Sequence, residues 1–361
     1  MSTETTLSAT NLHAEPKAPW YAPLIDKGRI PDALLRRAIT VRLGKMLKRM
    51  RDADIETLHE RHRVFVRGLL ESPIAIRTDK ANEQHYEVPP EFFKLSLGPR
   101  LKYSCGYWPD GVTTLEKAEE AALALVCART EIKDGQKILE LGCGWGSLSL
   151  YMAEKFPGCE ITAVSNSGPQ RVFIESAAKA RGFENLRVVT DDMNDFRDAE
   201  SAYDRCVSVE MFEHMKNYDA LLQRISGWLK PEGKLFVHIF THRELSYHFE
   251  EDNNWIGKYF FTGGTMPGDR LLFEFQRSMR IAEHWRLSGT HYEKTANAWL
   301  ENTDANRGRI LELFAQTYGE GQAEMWLNRW RTFYIACAQF WGFAGGGEWL
   351  VSHYLFENGK G

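Results

Sequence analysis

The sequence predicts an α/β protein built on an open, doubly wound sheet of parallel strands. Between residues 136 and 241, apolar segments of strand length alternate with amphipathic segments of helix length. Repeated strand–helix–strand units give parallel strands joined by right-handed crossovers. The first strand, "KILEL", also runs straight into a glycine-rich turn and a helix, which is where doubly wound sheets bind their ligands.

The residues before this sheet predict a helical extension. We expect a flexible N-terminus over residues 1–20, followed by the extension over residues 21–112. From Pro31 to Met50, apolar residues recur at helical spacing and basic residues fill the other faces. This pattern favours a helix that packs on its own domain and has a solvated basic face. Contact with an anionic membrane surface is the alternative.

Residues 113–361 hold the sheet and a predicted C-terminal helical cap. Thr113 or Thr114 is a suitable N-cap for the helix before the first strand. After Thr241 the strand–helix alternation weakens into an aromatic-rich region, and the segment from about residue 297 to residue 343 has helical periodicity. We therefore expect helical additions at both ends of the sheet domain.

Composition and charge exclude several classes of protein. The 45 basic and 49 acidic side chains give a net charge of −4, which argues against nucleic-acid binding. No apolar run approaches the roughly 20 residues of a membrane-spanning helix, and the N-terminus lacks the apolar segment of a secretory signal, so we expect a cytoplasmic protein. The cysteines have no paired short spacing, which argues against a zinc site or a disulfide framework and favours a reducing compartment. They are Cys105, Cys127, Cys143, Cys159, Cys206 and Cys337.

The glycine-rich turn indicates the type of ligand. Its pattern, E-x-G-x-G-x-G in "ELGCGWG", differs from the G-x-G-x-x-G of dinucleotide sites, and no phosphate-binding lysine follows it. A nucleoside without phosphates is therefore favoured. The spacing resembles motif I of the class I methyltransferases, which implies a Rossmann-like sheet and S-adenosylmethionine as the cofactor.

The same resemblance implies where the cofactor binds. In generic members an acidic residue at the end of the second strand binds the ribose, but Thr162, Ser165 and Asn166 occupy that region here. After the third strand, Asp192 could accept the adenine amino group while Met193 packs on the ring; an ordinary turn is the alternative role for Asp192. The predicted cofactor residues are Tyr103, Ser104, Glu140, Gly142, Cys143, Gly144, Trp145, Gly146, Thr162, Ser165, Asn166, Gln170, Asp192 and Met193.

Longer motifs identify a narrower family. The segments "HYEVPPEFF", "YSCGYWPDG", "SVEMFEHMKNYD", "LKPEGKLFVH" and "FTGGTMP" occur in this order. Together with motif I they resemble the cyclopropane fatty acid synthases and their relatives, which include mycolic acid methyltransferases and plant coclaurine-type N-methyltransferases. The resemblance runs from about Tyr86 to the C-terminus. The N-terminal helices and the ending "GEWLVSHYLFE" are most similar to the coclaurine branch.

The resemblance to the synthases implies methyl transfer to an unsaturated acyl chain of a phospholipid, with bound bicarbonate as the base. In the synthases this ion is held at positions that match Cys105, Cys143, Glu213, His238 and Tyr292, and all five residues are present here. An alkene that takes a methyl group becomes a carbocation and must then lose a proton, so it needs a base in a dry pocket. We rank this function first, because the complete ion set has no evident purpose in amine methylation.

Methylation of a small, alkaloid-like amine is the close alternative. Glu210 stands where the synthases usually carry glycine and the amine methylators carry glutamate. An amine needs only its lone pair freed, which Glu210 or Glu213 could do with help from His214. A catalytically silent S-adenosylmethionine-binding protein is a third hypothesis. The candidate catalytic residues are Glu213, His214, Glu210, His238, Tyr292 and Cys105.

Ordinary structural roles are open for these residues as well. Glu213 and His214 could cap the helix that starts near Asn217, and His238 could be a core histidine. The expected partners are an unsaturated acyl lipid or a small amine, with no nucleic acid and no metal. A homodimer and peripheral contact with the inner face of the membrane are further alternatives. The helical additions are expected to cover the acceptor pocket.

Overall fold

The computed structural model describes residues 19–76, 88–249, 255–260 and 264–359. The flexible N-terminus predicted for residues 1–20 therefore lies almost entirely outside the described residues. Parts of the segments "HYEVPPEFF" and "FTGGTMP" also lie outside them. The described residues form a seven-stranded sheet, a separate two-stranded sheet and the helices around them.

The large sheet confirms the predicted α/β class. In the described residues the strands are β1 (Lys137–Leu141), β2 (Glu160–Ser165), β3 (Leu186–Thr190), β4 (Tyr203–Val209), β5 (Leu229–His242), β6 (Tyr247–His248), β7 (Thr265–Met266), β8 (Met279–Ser288) and β9 (Trp349–Asn358). The large sheet has the order β3-β2-β1-β4-β5-β9-β8, and its first five strands are parallel. β9 runs antiparallel to β5, and β8 runs antiparallel to β9. The sheet is therefore mixed, with an antiparallel β9 that the sequence did not reveal.

The helices of the described residues fall into three groups along the chain. Before the sheet come α1 (Ala22–Asp26), α2 (Asp32–Arg51), α3 (Ile55–Glu71) and α4 (Pro90–Ser96). Alternating with the parallel strands are α5 (Leu115–Arg129), α6 (Ser147–Lys155), α7 (Gly168–Ala180) and α8 (Tyr218–Trp228). The short α9 (Trp255–Tyr259) follows β6, and the C-terminal cap consists of α10 (Thr290–Ala305), α11 (Arg307–Tyr318) and α12 (Glu320–Gly342).

Side-chain caps explain where two of these helices begin. The Thr114 side chain accepts a hydrogen bond from the Lys117 amide at the start of α5. The Asn217 Oδ1 atom accepts one from the Ala220 amide at the start of α8, at 3.0 Å. Each cap satisfies an amide that has no partner within its own helix. Thr114 is thus the N-cap among the two candidates in the sequence.

The basic helix α2 packs on the rest of the chain. Leu43 and Leu47 are buried in a cluster that includes the cap helices, and α2 contacts α12 directly. Its basic face also binds the chain, because Arg36 Nη2 donates to Asn297 Oδ1 at 2.8 Å. None of the described helices is both long enough and apolar enough to cross a membrane.

A large aromatic core joins the N-terminal helices, the cap and the turn after β1. Trp299, Trp330 and Trp349 are fully buried in it. The same cluster contains Trp145 from the glycine-rich turn and Tyr292 from the first turns of α10. Aromatic side chains of this size bury the most area per residue. The cap is therefore fixed against the edge of the sheet at which β1 and β4 end.

Candidate active site

A cavity opens at the carboxyl ends of β1 and β4, where the strand order reverses. This is the point at which open α/β sheets bind their ligands. Twelve of the predicted cofactor residues line the cavity, and the two exceptions are Gly146 and Thr162. Glu210 and His214 line the same cavity from the end of β4. The lining cofactor candidates are Tyr103, Ser104, Glu140, Gly142, Cys143, Gly144, Trp145, Ser165, Asn166, Gln170, Asp192 and Met193.

Two glycines of the turn are required by close packing. Gly142 has φ +82°, and a Cβ there would lie 2.7 Å from the Cβ of Met211. Gly146 has φ +79°, and a Cβ there would lie 2.7 Å from Ile174 in α7. Side chains rarely adopt these φ values and would also clash. Gly146 therefore seats α6 against α7 and does not line the cavity, so its role as a ligand contact stays a prediction.

Thr162 does not line the cavity either. It is the third residue of β2, three positions before Ser165, so it lies about 10 Å further from the carboxyl edge. Its Oγ1 atom accepts a hydrogen bond from Arg187 at 3.2 Å, and it lines a separate depression. Ligands of such sheets bind at the carboxyl ends of the strands. The assignment of Thr162 to the cofactor site therefore stays a prediction that the lining of this cavity does not support.

Several buried polar atoms around the cavity lack a protein partner. In the described part of the chain, Gln170 Nε2, Trp145 Nε1 and Ser147 Oγ have no hydrogen-bond partner. The Ser165 hydroxyl donates to Gln170 Oε1 at 2.6 Å and so orients the Gln170 amide. Buried polar groups are normally satisfied. These atoms therefore indicate a polar ligand in the cavity.

Glu140 is the buried acid at the end of β1. It is 2% exposed and accepts a hydrogen bond from the Ser149 hydroxyl. Burial raises the pKa of Glu140 to about 7, although the hydrogen bond from Ser149 acts in the opposite direction. The carboxyl group lies on the wall of the cavity.

Glu210 is contacted by three polar groups from three parts of the chain. Its Oε1 atom lies 2.9 Å from the Cys105 backbone N–H and 3.2 Å from Nε2 of His238. Its Oε2 atom accepts the Tyr292 hydroxyl at 2.7 Å. Burial raises the pKa of Glu210, and the Lys102 charge and the hydrogen bonds from Cys105 and Tyr292 oppose that rise. Cys105, His238 and Tyr292 are thus brought together around a carboxylate of the chain itself.

The backbone of Glu210 lies in the left-handed region, with φ +49°. This region is normal for glycine and costs other residues on the order of 1–3 kcal/mol. A glycine would adopt this backbone conformation without that cost. The strain also indicates that the Glu210 side chain is needed here, since strain of this kind concentrates at functional sites.

Glu213 lies three residues further on, in a single helical turn (Phe212–His214). Unlike Glu210, it has a carboxylate oxygen without a hydrogen-bond partner in the described residues. It is 1% exposed, and the oxygen without a partner is Oε2. Burial and the nearby Glu210 charge raise the pKa of Glu213 well above its usual range. The N-cap of α8 is Asn217, so neither Glu213 nor His214 caps that helix.

Lys102 was missed by the sequence analysis. Its ammonium is buried and donates to the Ser104 hydroxyl and, at 2.8 Å, to the Cys105 carbonyl. Burial lowers the pKa of Lys102, and the Glu210 charge opposes that change. Lys102 therefore stiffens the loop that presents the Cys105 N–H. In the sequence, the only indication of this role is the position of the lysine directly before the "YSCGYWPDG" segment.

Comparison with known proteins identifies the family. Residues 75–342 match the family model described as mycolic acid cyclopropane synthetase. The chain belongs to this family. It is an S-adenosylmethionine-dependent methyltransferase with the α/β fold of the class I enzymes, and S-adenosylmethionine is its methyl donor.

Two groups of relatives cover the chain to different extents. The chain is 36% identical over 339 residues to (S)-coclaurine N-methyltransferase of Thalictrum flavum subsp. glaucum, covering 92% of this chain and 94% of that protein. It is 31% identical over 259 residues to the cyclopropane-fatty-acyl-phospholipid synthase of Escherichia coli K12, covering 71% of this chain and 63% of that protein.

The solved structures show the same difference. Coclaurine N-methyltransferase bound to N-methylheliamine and SAH superposes with a TM-score of 0.90 at 34% identity, covering 93% of this chain and 98% of that one. The cyclopropane synthase MmaA2 of Mycobacterium tuberculosis gives a TM-score of 0.67 at 21% identity, covering 80% of this chain and 100% of that one. This second likeness concerns the fold alone.

Proposed function

We propose that this methyltransferase transfers a methyl group to the nitrogen of a small amine. This reverses the ranking from the sequence, which put the unsaturated acyl chain first. The N-methyltransferase relatives support the proposal, since they match the chain over 92% of its length. The observation that carries it is the position of the Glu210 carboxylate between Cys105, His238 and Tyr292.

A carboxylate in this position removes the need for a bicarbonate ion. Three of the five residues that the resemblance assigned to bicarbonate already contact Glu210, namely Cys105, His238 and Tyr292. A second anion here would meet the Glu210 charge without donors of its own, and like charges in a buried site are strongly disfavoured. We therefore propose that the protein works without bicarbonate.

The cofactor is proposed to lie in the cavity that Gly142, Gly144 and Asp192 line. Gln170 Nε2, Trp145 Nε1 and Ser147 Oγ would supply hydrogen-bond donors or acceptors to it, since they lack partners among the described residues. When bound, S-adenosylmethionine supplies an electrophilic methyl group on a positively charged sulfur. The residues around it then have to orient the acceptor and take one proton.

Glu213 is proposed to take that proton. Its Oε2 atom has no partner in the described residues, so an ammonium N–H could donate to it. The proton moves from the protonated amine to the Glu213 carboxylate, and the nitrogen lone pair then forms the new bond to the methyl carbon. The bond from sulfur to that carbon breaks, and its electron pair stays on sulfur. His214 lines the cavity beside this acid and would assist in orienting the amine.

The helical additions are proposed to cover the acceptor. A cavity of about 520 Å³ lies between α2, α12 and the residues around α9. Apolar side chains make up much of its wall, including Leu35, Met46 and Phe340. Arg42 and Lys45 lie at the same cavity.

Contact of α2 with a membrane surface is the alternative. It is tested by comparing the vesicle co-sedimentation of the parent with that of a variant in which the basic residues of α2 are neutralised.

Transfer of label from S-adenosylmethionine tests the proposed function. The purified protein is incubated with methyl-labelled cofactor and, separately, with a panel of secondary amines that includes coclaurine and with vesicles of unsaturated phospholipid. We expect label in an amine, at a rate that does not change when bicarbonate is removed. Label in the phospholipid, at a rate that falls when bicarbonate is removed, would restore the acyl function.

A further inference from the structure

A chain of buried polar side chains leads from Glu210 through the sheet to α5. Nε2 of His238 lies 3.2 Å from Glu210 Oε1, and Nδ1 of His238 lies 2.9 Å from Nε2 of His353. Nδ1 of His353 in turn lies 2.7 Å from Nη1 of Arg129 at the end of α5. The two histidines are paired directly across β5 and β9 and are 2% and 1% exposed.

Arg129 fixes where the protons of this chain lie. A guanidinium group only donates hydrogen bonds, so Nδ1 of His353 must accept. A neutral His353 then carries its proton on Nε2 and donates to Nδ1 of His238. His238 in turn carries its proton on Nε2, where it donates to the Glu210 carboxylate. Arg129, at the end of this series of hydrogen bonds, thus sets the tautomers of both histidine rings.

The surroundings keep both rings neutral. The charged groups that face the two histidines are Lys102 from the loop before Cys105, Arg129 from α5 and Glu210 from the end of β4. Burial lowers the pKa of His238 well below its usual value, and the charges of Lys102 and Arg129 lower it further. Burial likewise lowers the pKa of His353, together with His238 and the same two cations.

Arg129 is itself held in place. Its guanidinium lies over the ring of Trp285 in β8, 4.7 Å from the centroid. This cation–π contact orients the donor toward the sheet. The guanidinium does not accept protons, so the chain of hydrogen bonds ends there and provides no exit for a proton. It can position Glu210 but cannot carry away the proton of the acceptor.

We propose that Arg129 and His353 are positioning residues, which fix His238 as the Nε2–H tautomer and thereby hold Glu210 as an ionised, correctly oriented carboxylate. The other tautomer of His238 would set a nitrogen lone pair against the carboxylate oxygen at 3.2 Å. Glu210 would then turn away or take up a proton, and its effect on Glu213 would be lost. The kinetic consequence rests on the proposed function, whereas the tautomers do not depend on it.

Histidine-ring NMR of the full chain tests the tautomers. Long-range ¹H–¹⁵N spectra of protein labelled with ¹⁵N in its histidine rings are recorded for the parent, Arg129→Leu and Arg129→Lys. We expect Nε2–H signals with bare Nδ1 for His238 and His353 in the parent and in Arg129→Lys, because lysine also only donates. Arg129→Leu should mix the tautomers of both rings. An Nδ1–H signal from His238 in the parent overturns the proposal.

Measurements of kcat and KM distinguish a positioning role of Arg129 and His353 from a purely structural one. For amine methylation, we expect Arg129→Leu to lower kcat roughly tenfold, because the hydrogen bonds behind His238 set its tautomer and orientation, with little change in KM for the cofactor. Arg129→Lys and His353→Gln should retain most activity, because glutamine can accept from Arg129 and donate to His238. Arg171→Gln serves as the control, since Arg171 is an exposed residue paired with Glu175. Unchanged kcat in a folded Arg129→Leu would overturn the positioning role.

The two proposals fail in different ways. If label enters phospholipid and no amine, the proposed function fails, and the NMR spectra still decide the tautomers. If amines are methylated but the Arg129→Leu spectra and kcat match the parent, only the positioning role fails. Thermal unfolding of each variant, compared with Arg171→Gln, shows whether Arg129→Leu is folded. Should Arg129→Leu not fold, the parent spectrum together with His353→Leu and His353→Gln supplies the same comparison.

Discussion

The two buried carboxylates that follow β4 differ in how they are satisfied. Both oxygens of Glu210 receive hydrogen bonds, from Cys105, His238 and Tyr292. The Oε2 atom of Glu213 receives none in the described residues. A carboxylate with fully committed oxygens is a fixed charge, whereas one with a free oxygen can exchange a proton. Under the proposed function, these different environments give Glu210 the role of structural anion and Glu213 the role of base.

Glu213→Gln tests most directly whether Glu213 and Glu210 have different roles. If Glu213 takes the proton of the amine, we expect the variant to lose methyl transfer by roughly 10³-fold, within the range of general-base catalysis. Cofactor affinity should stay close to that of the parent, because Glu213 does not line the cofactor cavity. Radiolabel transfer measures the first quantity and calorimetry the second. Lost cofactor binding would show that Glu213 is part of the cofactor site.

Glu210→Gly tests whether Glu210 stands in for an ion. Glycine suits the backbone at φ +49° and leaves the donors of Cys105, His238 and Tyr292 unpaired. We expect activity to fall roughly 10²-fold, as on loss of a preorganised charge, and to recover in part when bicarbonate is added. Glu210→Gln is the control, because the amide fills the space and leaves no room for the ion. A bicarbonate response equal in both variants would contradict the idea.

The pH dependence of kcat tests whether the charge of Glu210 acts on Glu213. Burial and the Glu210 charge raise the pKa of Glu213, so its basic form appears only as the pH rises through that raised value. We expect kcat to increase with pH on the acid side of the profile. Removing the Glu210 charge in Glu210→Gln should move this limb to lower pH, by roughly one pH unit for a neighbouring like charge. A limb that stays in place would show that the two acids do not interact.

Gly146→Ala should affect stability and leave the acids unaffected. The added Cβ would meet Ile174 at 2.7 Å, so we expect a loss of about 1–3 kcal/mol in the free energy of unfolding and an unchanged pH profile. Gly182→Ala is the matched control, with φ +71° but open space around the Cβ. Denaturant unfolding of both variants separates the clash from backbone strain. Equal losses in the two variants would mean that the contact with Ile174 is not tight.

The smallest effect is expected from Thr162→Ala. Thr162 lies away from the cofactor cavity, beside Arg187, so the dissociation constant of S-adenosylmethionine should change by less than about twofold. Isothermal calorimetry measures it, with Gln170→Ala as the comparison because Gln170 lines the cavity. Weaker binding in Thr162→Ala than in Gln170→Ala would return Thr162 to the site.

The fold and most of the cavity lining could be predicted because their signals are local. A strand, a glycine turn and a helix within a few residues of one another place Gly142 and Gly144 at the sheet edge whatever the rest of the chain does. The position of Thr162 away from the cavity could not be predicted, because the sequence does not show where β2 ends, and that end determines which residues reach the edge. The strand continues to Ser165, so Thr162 lies within the strand, three residues before its end.

The arrangement of the acids could not be predicted, because it depends on contacts between distant parts of the chain. The sequence shows Glu210, His238 and Tyr292 but not the backbone conformation that turns Glu210 between the other two. Arg129 and His353 are 224 residues apart, and they meet because α5 packs on the sheet where β9 pairs with β5. The sequence favoured a bound ion because the same groups suit either anion, and their contacts with Glu210 are visible only in the folded chain.

The left-handed backbone at Glu210 has an evolutionary consequence. At this position a glycine and a glutamate codon can differ by one nucleotide, so a single step would exchange a diffusible anion drawn from dissolved carbon dioxide for one that is covalently tethered. A tethered group is present at the same local concentration whatever the gas supply of the cell. Under the proposed function, turnover would be independent of carbon dioxide and would depend on the supply of amine and methyl donor.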